Sequence, residues 1–267
     1  MRAILLTSTF RRHVFVANTV AAGCDLVGVW QEEKSFRPER YANGADDEAV
    51  IQRHFADRDA SEAQYFAGDD DVRLAARDVH RPGAGACNDA AEVERMAALS
   101  PDVVLVFGTG ILRDPLLSTF EGRIINIHLG LSPYYRGAGT NFWPLVNREP
   151  ELVGATIHYI DAGIDTGPIL AHARPVIERD DGPHDIGNKT IAAAARTLLR
   201  AAAAHVAGAA CPVPQWDGGR LYRRKDFNAD AVRRLHRQFE TGMIDEYLAS
   251  RDARDAALRL IEPEGAA

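Results

Sequence analysis

The run Asp102-Val-Val-Leu-Val-Phe107 is apolar without interruption after its first residue. A strand with one wet face alternates; a strand covered on both faces does not. Such cover is the mark of a parallel sheet lying between two layers of helices. The start of the chain agrees. Residues 3–8 are a second short apolar run. Residues 13–23 place Phe15, Val16, Val20 and Ala21 near one helical stripe, with Gly23 at its C-terminal end, and residues 25–30 read as a strand. A βαβ opening followed by another doubly covered strand predicts an α/β fold: a doubly wound, mostly parallel sheet of Rossmann-like course.

Further along, residues 32–46 are polar and loop-like, 47–66 are predicted helical, and 69–86 are ambiguous, with a short strand near Val79. Asp89 followed by Glu92 has the spacing of a capping box, for a helix reaching about Leu99. Residues 124–129 read as a strand, and 153–160 with 169–177 as a pair closing one side of a site. A long alanine-rich helix over 184–207 ends before Cys211-Pro-Val-Pro214. That break predicts a main domain over 1–210 and a small, mostly helical extension over 211–267. In the extension Val232, Leu235, Phe239, Ile244 and Tyr247 form an apolar stripe. Its expected cover is the main domain or a second subunit; the second subunit, hence a homodimer, is favoured.

At 267 residues the chain is long enough for one large domain with an appendage. Its net charge of −7 argues against nucleic acid as the main partner, because phosphate neutralisation needs a basic surface. Cys24, Cys87 and Cys211 are odd in number and far apart, which points to reduced thiols in a cytoplasmic protein rather than disulfides or zinc. The N-terminus enters a strand-like run at once, so no leader is expected, and no apolar run approaches the ~20 residues of a membrane span.

Residues 124–169 hold the strongest chemical signal. Asn126 and His128 are two apart in a predicted strand and so share a face. An amide and an imidazole aimed at one atom suit attack on a carbonyl whose oxygen gains charge. Asp165 can orient the imidazole and favour its charged form. Other candidates are weaker. Gly108-Thr-Gly110 follows a strand and precedes a predicted helix, but position 113 is Arg, so the dinucleotide fingerprint is incomplete. Arg11, Arg12 and His13 begin a helix at the carboxyl end of the first strand. Cations there oppose the helix dipole, and an anionic ligand would resolve the conflict. Tyr135 and Arg136 lie in a loop after the central strand and could bind substrate by stacking and ion pairing. His158, His172, His184 and His236 read as structural singletons. Asp161 and Asp165 make only a weak metal site, so no metal is expected.

The sequence Asn126-Ile-His128, then Leu-Gly-Leu-Ser-Pro-Tyr-Tyr-Arg-Gly, then Gly154-Ala-Thr-Ile-His-Tyr-Ile-Asp-Ala-Gly-Ile-Asp-Thr-Gly-Pro-Ile-Leu170, resembles the N10-formyltetrahydrofolate-dependent formyltransferases. That family includes the glycinamide ribonucleotide, methionyl-tRNA and sugar N-formyltransferases. The resemblance runs from Val103 to about Ile177. It implies the formyltransferase fold and Asn126, His128 and Asp165 as catalytic residues. It also implies N10-formyltetrahydrofolate as cofactor, held by Val106, Phe107, Gly108, Gly110, Ile111 and Leu112 and by Ile160, Asp161, Ala162 and Gly163. One departure stands out. The family commonly has serine directly after the Leu that follows the histidine; this chain has Gly130.

The implied reaction is transfer of the formyl group to a primary amine of a small molecule. Arg11, Arg12, His13, Tyr135 and Arg136 are the expected acceptor side. Thr140-Asn-Phe-Trp143, the short helical extension and the acidic balance of the chain as a whole favour a nucleotide-linked amino sugar over a tRNA. Two alternatives stay open: a hydrolase of the formyl donor, and a non-catalytic ligand-binding protein of the same fold.

Overall fold

β1 (Arg2–Ser8), α1 (Arg11–Gly23) and β2 (Asp25–Glu32) form the expected βαβ opening. The structure, a computed structural model, describes residues 1–33, 37–75, 78–161, 163 and 165–262. The chain continues through α2 (Ala45–Tyr65), β3 (Val79–His80), α3 (Ala90–Ala98), β4 (Val103–Val106), α4 (Leu116–Thr119) and β5 (Ile124–His128). β6 (Tyr135–Gly137), α5 (Phe142–Val146), β7 (Ala155–Tyr159), β8 (Ile169–Ala173) and α6 (Pro183–Val206) follow. After α6 come β9 (Arg220–Tyr222), α7 (Ala229–Glu240), α8 (Met243–Ala249) and α9 (Arg251–Ala256).

The main sheet has the order β3-β2-β1-β4-β5-β7-β8. Its first five strands are parallel; β7 and β8 are antiparallel and close one edge. The unbroken apolar runs have a direct cause. Ala3, Leu5, Val103 and Leu105 enter one core, against α1 and α6, while Ile4, Leu6, Val104 and Val106 enter a second, against α3 and α4. Successive strand residues face opposite ways, so a strand buried on both faces has no place for a polar residue.

Three local expectations change. Asp89 sits at the N-cap of α3 but makes no side-chain cap bond. Glu92 instead accepts from Trp30 Nε1 at 2.8 Å and from Arg95 at 2.7 Å. Trp30 is wholly buried, and a buried indole N–H needs an acceptor more than an exposed helix end needs a cap. After Gly110 the chain is irregular as far as α4, a single turn. The third change concerns the apolar stripe of the extension. Val232, Leu235, Ile244 and Tyr247 are buried within this one chain, against Ile51, Trp143, Val146 and Ile186 among others. β9 pairs in parallel with β6, which lays α7 across α2 and α5. The main body, not a second subunit, therefore covers the stripe. Among the described residues no helix is long and apolar enough to cross a membrane.

Candidate active site

A cavity of about 780 Å³ opens beyond the carboxyl ends of β1, β4 and β5. Doubly wound sheets bind ligands in this crevice, and the volume lies in the usual range for small-molecule sites, ~300–1,000 Å³. Asn126 and His128 both line it, while the side chains of Ile125 and Ile127 belong to the core, Ile127 touching the cavity edge as well. Strand alternation produces that division.

β7 runs antiparallel to β5 and sets His158 opposite Asn126. His158 Nδ1 lies 2.8 Å from the carbonyl of Tyr159. A carbonyl only accepts, so Nδ1 carries a proton there. In the neutral ring Nε2 is then an acceptor, and Asn126 Nδ2 lies 3.1 Å from it. His158 thus fixes which end of the Asn126 amide is the donor, and the second N–H of that amide remains for a ligand.

Asp165 reaches both imidazoles. Its Oδ2 is 3.3 Å from His128 Nδ1, and its Oδ1 is 3.7 Å from His158 Nε2. Burial alone would raise the Asp165 pKa, but its interactions with the His128 imidazole, and with that of His158 alongside, outweigh it and hold the carboxyl well below the usual range. Asp165 therefore stays ionised at neutral pH. Its backbone is left-handed, with φ 53°, a conformation that Asp tolerates better than most residues. Gln215, from the segment after α6, donates to the carbonyls of Asp165 at 2.7 Å and Gly167 at 3.0 Å.

The other side of His128 faces Thr140, with Oγ1 3.4 Å from Nε2. The Thr140 hydroxyl donates to the carbonyl of Leu129 and so offers the imidazole a lone pair. Gly130 makes room for it. A Cβ at Gly130 would lie 2.5 Å from Thr140 Oγ1, and φ is 154°. A hydroxyl thus stands beside His128 even though the serine common in the resembled family is absent, because Thr140 supplies it from ten residues further on.

Val106, Phe107, Gly108, Gly110, Ile111 and Leu112 line the cavity, as do Ile160, Asp161 and Gly163; Ala162 lies outside the described residues. Gly108 has φ 75° and packs on His13, where a Cβ would come within 2.3 Å of the ring. Glu32 accepts from the Gly110 N–H at 2.7 Å and pins the turn. Asp161 Oδ1 accepts from the Gly163 N–H and the Thr166 hydroxyl, so it is occupied within its own loop. Among the described residues no group of three His, Cys, Asp or Glu is arranged to hold a metal ion.

The predicted acceptor side is only partly assembled. Arg12 and His13 line the cavity. Arg12 pairs with buried Glu62 at 2.6 Å, so α2 supplies the counter-charge expected of a ligand. Arg11 is turned to Asp70 at 2.7 Å and does not line the cavity. Tyr135 is 1% exposed and faces Glu149, Asn147 and Arg220; Arg136 is exposed on β6. Neither lines the cavity, because pairing with β9 turns this loop into the seam between body and extension. The wall that takes their place comes from His54 and Arg58 of α2, Phe142 of α5, His184 of α6, and Arg224 and Leu235 of the extension. Sequence reasoning missed these, together with His158 and Thr140. The one usable signal was alternation in β7, which puts Thr156 and His158 on one face; the register opposite Asn126 belongs to the folded sheet.

Three comparisons bear on this geometry. Residues 51–202 match the family model described as formyl transferase. A methionyl-tRNA formyltransferase of Halorhodospira halophila (strain DSM 244 / SL1) is 33% identical over 143 residues, 53% of this chain and 46% of the relative. The chain spans about half the length of the curated relatives it matches, 46% and 55% in two cases. Among solved structures, a sugar N-formyltransferase from Shewanella sp FDAARGOS_354 aligns with a TM-score of 0.53 at 19% identity, over 85% of this chain and 78% of that one. Glycinamide ribonucleotide transformylase 1 from Symbiobacterium toebii aligns with a TM-score of 0.52 at 22% identity, over 78% and 89%. At such identities the two structures share this fold, and nothing finer follows from them. With the family model spanning more than half of its residues, the chain belongs to the formyl transferase family.

Proposed function

We propose that this protein transfers a formyl group from N10-formyltetrahydrofolate to a primary amine of a small molecule, most favourably an amino sugar carried on a nucleotide. The observation that carries the reading is the joining of Asn126, His128 and Asp165 in one cavity, with Asp165 against His128 and His158 orienting the Asn126 amide.

The donor supplies the formyl carbon that the amine attacks. Residues 106–112 suit its flat ring: the wall is apolar at Phe107, Leu112 and Ile160, and glycines at 108 and 110 let backbone approach closely. As the amine nitrogen bonds to the formyl carbon, the carbonyl oxygen gains negative charge. Asn126 Nδ2–H and a protonated His128 donate to that oxygen; the negative Asp165 stabilises the imidazolium. The amine loses a proton and the leaving nitrogen of the donor gains one as its bond to the formyl carbon breaks. Asp165 and His128 lie where that proton can be relayed. One lost donor of this kind costs about 3–4 kcal/mol of barrier.

A tRNA acceptor is a second reading, favoured by the sequence likeness to methionyl-tRNA formyltransferases. The net charge of −7 works against it. The test is a single assay with labelled formyl donor and three acceptors: nucleotide-linked amino sugars, glycinamide ribonucleotide and methionyl-tRNA. A labelled formamide on an amino sugar supports the proposal. Label on methionyl-tRNA alone replaces it with the second reading. Formate with every acceptor makes the protein a hydrolase, and binding without turnover makes it a ligand-binding protein.

A further inference from the structure

One part of the cavity wall has no role in the chemistry above. His54 of α2 and His184 at the start of α6 stand with ring centroids 4.7 Å apart, and His236 of α7 lies 6.4 Å from His54. Phe142 meets His54 edge-on at 5.8 Å. His54 is 6% exposed, yet its Nδ1 finds no hydrogen-bond partner among the described residues, and neither does His184 Nε2. Most buried polar atoms in folded proteins are paired, and both of these rings line the cavity. The rings meet by faces and edges, and the group is not arranged to hold a metal.

The chemistry of this lobe is specific. Burial and mutual repulsion push His54 down to about 3, and burial with the nearby Arg58 charge pushes His184 down to about 4. Both rings are therefore neutral at pH 7, and each neutral imidazole can accept or donate according to its tautomer. Neutral rings give no charge to a phosphate. The nearest cations do not free one either, since Arg12 and Arg58 both face Glu62, at 2.6 and 3.9 Å. What the lobe does offer is two hydrogen-bonding nitrogens beside the apolar surfaces of Phe142 and Leu235. A ring that bears hydroxyl groups on its edge and C–H groups on its face matches both features. The lobe is joined to the reacting centre through the chain itself, since Thr140 touches His128 and Phe142 touches His54.

We propose that His54 and His184 form the acceptor subsite and read the hydroxyl groups of an amino-sugar ring whose apolar face lies on Phe142 and Leu235. The proposal rests on the formyl-acceptor reading above and assigns its specificity. Arg224, from the extension, lines the same cavity. The extension thereby closes the acceptor side instead of standing apart from it.

The test uses the full chain, labelled with ¹⁵N-histidine. The probes are methyl 3-amino-3-deoxy- and 4-amino-4-deoxyglucopyranoside, cyclohexylamine and ribose 5-phosphate, each added with 5-formyltetrahydrofolate present. At least one aminoglycoside should shift the ring nitrogens of both His54 and His184. His54→Phe and His184→Gln should each weaken it about tenfold, with 5-formyltetrahydrofolate affinity unchanged within twofold. The shifts in the unsubstituted protein decide the matter should either variant fail to fold. Equal binding of cyclohexylamine overturns the proposal, because hydroxyl groups would then not be read. Shifts from ribose 5-phosphate alone, or from no probe, overturn it as well. If the folate binds and no aminoglycoside does, the subsite falls and the proposed function stands. If the aminoglycoside shifts both rings and the folate fails to bind, the subsite stands and the proposed function falls.

Discussion

Asp165→Asn tests the centre of the site with little disturbance of the fold. Asparagine keeps the shape and, like Asp, tolerates the left-handed backbone, φ 53°, found at this position. The carboxylate offers acceptors in both directions, Oδ2 to His128 at 3.3 Å and Oδ1 to His158 at 3.7 Å. The amide can keep its oxygen toward His128 and turn its N–H toward the accepting His158 Nε2, so the change removes the negative charge that favours the His128 imidazolium and little else. The His128 contact is a charge-assisted hydrogen bond, worth about 1.5–3 kcal/mol. The His158 contact is too long for a hydrogen bond and adds a smaller through-space charge effect. The combined loss is therefore about 2–4 kcal/mol of barrier, or roughly 30- to 1,000-fold in kcat. Most of the loss belongs in kcat, because the imidazolium is needed in the transition state and not for binding. Steady-state kinetics from pH 5.5 to 9 should show both KM values within about threefold of wild type. A kcat within threefold of wild type, or pH profiles that overlay, would refute the role given to the charge of Asp165.

Thr140→Val should lower kcat by about tenfold, the worth of one hydrogen bond beside His128 at 3.4 Å; unchanged kcat would make Thr140 a packing residue only. Leu235→Ala should cost about 2–5 kcal/mol of stability, since the side chain is 1% exposed in the seam between body and extension. Its denaturation midpoint should not depend on protein concentration, and a strong dependence would point to a subunit interface after all. Stability should also fall in acid. Burial first of all lowers the folded-state pKa of His54 to about 3 and of His172 and His184 to about 4, against 6.5 when unfolded. Between those values the unfolded chain binds more protons than the folded one, so stability is full above about pH 6.5 and is lost as pH falls toward 4. The loss is about 2 kcal/mol per histidine by pH 5, and urea midpoints that stay flat from pH 7 to 5 would contradict it.

Periodicity carried the sequence reading a long way. Two apolar runs, 3–8 and 102–107, implied buried strands, and the side chains of 3–6 and 103–106 do divide between two cores. Spacing alone placed Asn126 and His128 on one face. These are properties of the backbone, which alternates the same way wherever a strand forms. The acceptor side was not legible in this way. Arg11 and Arg12 looked like cations awaiting a ligand, but their partners, Asp70 and Glu62, are brought to them only when the chain folds. Tyr135 and Arg136 looked available because nothing local says that a strand 85 residues later will pair with them. His158 looked like one of several isolated histidines until the antiparallel register set it against Asn126. The amino-acid order by itself thus determined the sheet and the face on which the chemistry is carried, because both follow from the geometry of a single strand. Only the tertiary structure decided which side chains complete the site, because ion pairs, strand register and the cover supplied by the extension depend on segments that no local periodicity relates.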